Sequence, residues 1–151
     1  MKLAIIGVQH GHVLGITRQI LAEDDTELVV VAEPEHGARE RVARDLGVPG
    51  ISDYRSLLDG SIDVAVLAPI NAEKGDIAVA CLESGVHVMI DKPATITHAD
   101  LDRMSEAISG SSILSCALTL RFTGPYRMAK EAIARGDIGR VVSSVSQRPH
   151  K

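Results

Sequence analysis

Lys2–Gly15, KLAIIGVQHGHVLG, is the stretch whose reading decides the fold. The apolar run Leu3, Ala4, Ile5, Ile6 stops abruptly at Gly7, and a loop of Val8, Gln9, His10 and Gly11 follows. Apolar residues then recur at helical spacing at Val13, Leu14, Ile16, Ile20 and Leu21. A strand, a tight glycine turn and a helix, in that order, put free backbone N–H groups and the positive end of a helix where a pyrophosphate can sit. The dinucleotide fingerprint spaces its glycines as G-x-G-x-x-G. In that frame the chain has Gly7, Gln9 and His12, with Gly11 one place early. Two readings stay open, a dinucleotide loop or an ordinary strand-to-helix turn in which Gly7 supplies only the bend.

Outward from this stretch the same alternation repeats. A helix over roughly His12–Glu23 gives way to the polar turn Asp24-Asp25-Thr26. Glu27–Ala32 (ELVVVA) is apolar almost throughout, as a parallel strand covered on both faces should be. Glu33-Pro34 ends it, and His36–Leu46 reads as a helix closed by Gly47. A short strand at Ile51 and a brief helix over Tyr54–Asp59 come next. Ile62–Ala68 and Val86–Ile90 read as strands around a helix over Ala72–Ser84. Thr97, with Asp100 three residues on, caps a helix running to about Ser109. Ile113–Leu118 is a sixth strand, and a last helix over Pro125–Ala134 has proline in its first turn and Gly136 past its end. The alternation predicts an α/β fold, a Rossmann-type doubly wound parallel sheet with helices on both faces. Arg140–Ser146 (RVVSSVS) reads as one strand more. A lone strand leaves its backbone unpaired, so either another chain completes it or these residues are the front part of a longer protein; the second is expected.

Composition narrows the functions available. A chain of 151 residues with 45% hydrophobic and 24% charged residues is about one globular domain. A net charge of −4 without a basic run argues against a nucleic-acid partner. One Phe, two Tyr and no Trp leave an aliphatic core and no base-stacking surface. No apolar stretch approaches membrane-spanning length, and the Met-Lys start runs straight into a strand, so neither a membrane span nor a signal peptide is expected. Cys81 and Cys116 lie in apolar runs without metal-type spacing and read as reduced core thiols, consistent with a cytoplasmic location.

Ligands of doubly wound sheets bind beyond the carboxyl ends of the strands. The residues just after each strand are therefore the candidate site, Gly7–His12, Glu33, Pro69–Asn71 and Asp91–Pro93, which converge on one edge. Glu33, 21 residues past His12, can accept hydrogen bonds from both adenosine ribose hydroxyls and would repel a 2′-phosphate, so NAD is expected over NADP. The competing reading is a solvated acid before a turn proline. Lys92, held between Asp91 and Pro93, could move a substrate hydroxyl proton during hydride removal; equally it could be a surface lysine paired with Asp91. His10 and His12 lack a third ligand at metal spacing, so no metal is expected and their rings or backbone line the pyrophosphate loop. His87, alternating within a strand, reads as a satisfied core histidine. Neither cysteine has a histidine partner in the pattern, and no G-x-S-x-G elbow is present.

The order AIIGVQHGH, ELVVVAEP, DYRSLLDGSIDVAVLAPIN and CLESGVHVMIDKPATIT resembles the Gfo/Idh/MocA family, the relatives of glucose–fructose oxidoreductase and inositol dehydrogenase. LTLRFTGPYRMAKEAIARGDIGRVV is similar to the family's passage from its nucleotide domain into its second domain. The most specific pieces are Asp91-Lys92-Pro93, similar to the family's E/D-K-P, and the RGDIGRVV junction. The resemblance implies an NAD(P)-binding Rossmann domain over residues 1–120. Residues 121–151 would be a linker helix and first strand leading to a β-sheet domain missing from these residues. It implies hydride transfer between a nicotinamide cofactor and a sugar, polyol or related hydroxy compound, in a homo-oligomer. It places Gly7 to His12 at the pyrophosphate, Glu33 at the ribose, Pro69 and Asn71 along the cofactor, Lys92 as the catalytic lysine near the nicotinamide, and Arg121 on the same cleft. The family's alanine–threonine–proline–asparagine run reads Ala68-Pro69-Ile70-Asn71 here. The family's second-domain Asp/His acid–base residues are not in this sequence, so the chain alone is expected to bind but not turn over. The rival expectations are a non-catalytic Rossmann nucleotide sensor or regulatory module, favoured by Gln9 and His12, and a short protein that dimerises through its last strand.

Overall fold

A computed structural model describes residues 1–108 and 110–147 of the chain. It divides into two units, Met1–Ala117 and Leu118–Lys151. The first unit holds six strands: β1 (Lys2–Ile6), β2 (Glu27–Ala32), β3 (Gly50–Ile51), β4 (Val64–Leu67), β5 (His87–Asp91) and β6 (Leu114–Ala117). They form one sheet in the order β3-β2-β1-β4-β5-β6, parallel at every pairing. This is the doubly wound order, in which the chain reverses its direction of travel across the sheet between β1 and β4.

Period-two alternation decides which side each residue serves. Leu3 and Ile5 of β1 pack with Val13 and Ile16 of α1 (His12–Ile20) and with Val42 and Ala43 of α2 (His36–Leu46). Ala4 and Ile6 face the other way, onto Ile77, Ala78, Cys81 and Leu82 of α3 (Lys74–Glu83) and Met104 of α4 (His98–Ala107). A register shift at Leu3/Ala4 passes over Val29, so Leu28 and Val31 of β2 share one core while Val30 and Ala32 share the other. The cores are aliphatic, as the composition requires. Helix ends follow the expected chemistry. Thr97 Oγ1 accepts from the Asp100 backbone N–H at 3.0 Å, and Gly47 closes α2 with φ of 70°.

Several elements are shorter than the reading of the sequence. The first helix ends at Ile20 rather than Glu23, where Thr26 Oγ1 donates to the Ile20 and Glu23 carbonyls and converts the end into a turn. Residues 54–57 form a single 3-10 turn. The expected end of the fourth long helix at Ser109 lies outside the described residues.

The second unit, by itself, contains a 3-10 turn over Thr119–Phe122 and α5 (Gly124–Arg135), with Pro125 at its start and Gly136 in the left-handed conformation at its end. Residues 141–147 pair with no strand, where the sequence suggests one over 140–146. A strand needs a neighbour to take its hydrogen bonds, and Val142 and Val145 are 82% and 85% exposed. Among the described residues no helix is long and apolar enough to cross a membrane.

Candidate dinucleotide site

The ends of β1, β2, β4 and β5 meet at one edge of the sheet, and the chain is stitched together there. Gly7 donates to the Ala32 carbonyl at 2.8 Å, and Gln9 donates to the Ala68 carbonyl at 3.0 Å. The glycine loop is thereby tied to both neighbouring strands. Gly7 has φ of 78°, and a Cβ there would run into the Pro69 backbone, so only glycine fits both the turn and the close approach. The loop feeds α1 through Gly11, which offers no side-chain cap, and the first turn of α1 carries no acid. The positive end of the helix has no acceptor from its own cap side chain or first turn.

Glu33 is placed more deeply than the pattern suggests. It is 4% exposed, with Oε2 accepting from Val8 N–H and Oε1 from Glu35 N–H, both at 3.0 Å. It is therefore not a solvated acid. Its carboxylate braces the glycine loop against the end of β2. Arg39 lies on the same corner, Nη1 donating to the Glu33 and Pro34 carbonyls at 2.7 and 3.1 Å. The exposed acid nearby is Glu35, the N-cap of α2, whose carboxylate accepts from Gly37 and Ala38 N–H. Those two bonds hold it below the ordinary value of 4.5.

A cavity of about 560 Å³ opens along this edge, with Gly7, Gln9, Glu33 and Pro69 in its wall and Tyr54 and Ile77 beyond them. Its size suits a mononucleotide half or more of a dinucleotide. Four of the residues named from the sequence therefore meet in one cavity. Asn71, past Pro69, carries a buried Oδ1 without a hydrogen-bond partner, an acceptor that a bound hydroxyl or amide could use.

The end of β5 forms the second half of the edge. Asp91 is 3% exposed; Oδ1 accepts from Lys92 N–H at 2.9 Å, and Oδ2 makes no hydrogen bond. Its nearest cationic candidate is His12 Nδ1 at 3.7 Å. Lys92 is exposed, joined to Asp91 through its backbone N–H and not through an ion pair with its ammonium. The Lys92–Pro93 peptide bond is cis. His10 and His12 are both exposed, and no group of three or more His, Cys, Asp or Glu among the described residues is arranged to hold a metal. His87 accepts from Ile113 N–H at 3.1 Å through Nδ1. The Cys81 thiol is pushed up to about 12 by burial, which leaves it inert as a nucleophile. Arg121 belongs to the second unit.

Sequence reasoning missed Lys74. It is fully buried, and its ammonium donates to the carbonyls of Asp91 at 2.8 Å and Pro93 at 2.9 Å. It thus grips the turn on either side of Lys92. Burial pushes its pKa down, against the raising effect of the Asp91 charge. A signal was available: Lys74 stands three, four and seven residues before Ile77, Ala78 and Cys81, on the face of the helix that turns inward.

Comparison with known proteins shows the family and the fold. Residues 1–115 match the profile of a family described as an oxidoreductase family with an NAD-binding Rossmann fold, GFO_IDH_MocA. The chain is 26% identical over 145 residues to a scyllo-inositol 2-dehydrogenase (NAD(+)) of Bacillus subtilis, covering 94% of this chain and 42% of that protein. It is 30% identical over 128 residues to a levoglucosan dehydrogenase of Pseudarthrobacter phenanthrenivorans, covering 83% and 30%. A solved levoglucosan dehydrogenase in complex with NADH superposes with a TM-score of 0.82 at 27% identity, over 93% of this chain and 40% of that one. The chain thus spans well under half the length of the relatives it matches.

Proposed function

Since this chain belongs to the Gfo/Idh/MocA oxidoreductase family, we propose that it is the nucleotide-binding part of an NAD-dependent dehydrogenase acting on a sugar, polyol or related hydroxy compound. The observation that carries the reading is the shared edge. The uncapped start of α1, the Gly7 turn and the turn bearing Lys92 all lie at the carboxyl ends of β1 and β5, which flank β4. The substrate class follows the inositol and levoglucosan dehydrogenases that the chain resembles.

The residues fit a dinucleotide. The N–H groups at the start of α1 take the pyrophosphate, with Gln9, His10, Gly11 and His12 around it. The charge of Glu33 at the end of β2 disfavours a 2′-phosphate and selects NAD over NADP. Pro69 and Asn71 run along the cofactor, and Asp91 and Pro93 present Lys92. The nicotinamide supplies the hydride acceptor or donor when bound. Lys92 Nζ takes the substrate hydroxyl proton as hydride leaves carbon, and returns it in the reverse direction. Residues 1–120 act as the nucleotide domain, and residues 121–151 lead toward the part of the relatives that this chain does not span. The protein works in the cytoplasm as a homo-oligomer, without nucleic-acid or membrane partners.

The test is a calorimetric titration of the chain with NADH and then NADPH. Micromolar binding with NADH preferred is expected; no binding of either would overturn the reading for this chain. The second reading, a nucleotide sensor without catalysis, draws on Gln9 and His12 at fingerprint glycine positions. It is favoured if the whole protein binds NADH but leaves it unoxidised and unreduced with every polyol and sugar offered.

A further inference from the structure

Asp91 is buried at the edge with one of its two carboxylate oxygens unpartnered. Its Oδ2 is shut off from water and accepts no hydrogen bond. Leaving such an oxygen unsatisfied is costly, and its position says what would satisfy it. His12 Nδ1 lies 3.7 Å away, too far for a hydrogen bond and near enough for an ion pair. The His12 side chain is 59% exposed and is the first residue of α1, beside the helix end that has neither a side-chain cap nor an acid. With Nδ1 turned to Asp91, Nε2 lies across the ring, on the side away from the carboxylate.

We infer that His12 and Asp91 form a proton-dependent anchor for the dinucleotide pyrophosphate. This deepens the proposed function and rests on its cofactor reading. With His12 protonated, its charge neutralises Asp91 and its Nε2–H is a charge-assisted donor to a phosphate oxygen. With the ring neutral, the carboxylate beside the anion site is countered by Lys74 beneath it but still opposes the phosphate. Affinity for the pyrophosphate therefore rises as pH falls through the range in which an imidazole gains its proton.

Lys74, beneath Asp91, donates to its backbone carbonyl and to that of Pro93. Lys92 follows Asp91 on the turn and is exposed. Cys116 on β6 interacts with both Lys74 and Asp91, and burial pushes its thiol up, away from neutral pH. His10 lies in the glycine loop, exposed, and is the group that could imitate the effect.

ADP-ribose and adenosine, titrated calorimetrically into the chain at about pH 6 and about pH 8, give the test. The pyrophosphate diester of ADP-ribose keeps the same charge at both values, and adenosine has no phosphate. ADP-ribose is expected to bind more tightly at the lower pH by roughly tenfold or more, the worth of one hydrogen bond to a charged group, while adenosine is unaffected. His12→Gln should bind weakly at both values and His12→Lys tightly at both, and the ratio between the two pH values should persist in His10→Gln whatever its affinity. Asp91→Asn should bind ADP-ribose more tightly than wild type at the higher pH. A flat wild-type response, or a response that survives His12→Gln, overturns the anchor while leaving the cofactor reading in place. Weaker binding by Asp91→Asn at the higher pH, with an unchanged Tm, overturns the role of Asp91. Failure of ADP-ribose and NADH to bind at either pH overturns both the anchor and the cofactor reading, and is told apart from the first result by the missing heat.

Discussion

At the scale of single residues, the edge works by giving each carboxylate a different environment. Glu33 and Asp91 are both buried at strand ends, yet Glu33 has both oxygens engaged by backbone N–H groups and Asp91 has one left over. Glu33→Ala would leave the N–H groups of Val8 and Glu35 without their acceptor, and each such loss costs about 1–3 kcal/mol. A lower Tm is expected in thermal unfolding, together with NADH binding weakened more than NADPH binding. The opposite ranking of the cofactors would remove Glu33 from selection and leave it a brace for the loop. Lys92 is the contrasting case, free at its ammonium while its backbone is gripped by Lys74. On the proposed function, Lys92→Ala in the full-length dehydrogenase should lower kcat by on the order of 10²-fold, the range of a lost acid–base group. An unchanged kcat would take Lys92 out of the proton transfer.

At the scale of elements, two helix starts meet the same problem in opposite ways. α2 begins at Glu35, whose carboxylate accepts from the first free N–H groups; α1 begins at Gly11 with no such acceptor. One helix end is closed by its own cap side chain and the other is not. Because Glu35 is held below its ordinary value of 4.5 by those bonds, the unfolded chain binds its proton more tightly than the folded one does. Its contribution is full above 4.5 and lost as pH falls through the depressed value. Glu35→Ala should therefore lower Tm at neutral pH, and the gap from wild type should close on acidification. A gap that stays constant down to low pH would show that the carboxylate is not what stabilises the helix.

At the scale of the whole molecule, Met1–Ala117 has its own two-sided core around the sheet, whereas α5 buries none of its residues. Residues 1–117 expressed alone should unfold cooperatively, with coincident transitions in circular dichroism and calorimetry. A broad transition without a calorimetric peak would show that the core needs residues beyond it.

The parts that the sequence by itself determined were those set by local periodicity. Short continuous apolar runs, helical spacing and glycine or Thr-x-x-Asp punctuation located every strand of the sheet and every long helix, because these signals act within one turn or one strand, while the same signal over 140–146 marked a strand that finds no neighbour. The strand ends followed from them, and with them the meeting of Gly7, Gln9, Glu33 and Pro69 in one cavity. Tertiary structure alone decided what each side chain meets there. That Glu33 braces the loop through Val8, 25 residues away, that Lys74 is folded under Asp91 and Pro93, and that the orphaned oxygen of Asp91 faces His12 all depend on contacts between distant segments. Such contacts leave no period in the chain. They arise only when parallel strands bring those segments to a common edge, where burial compels each polar group to find a partner or do without one.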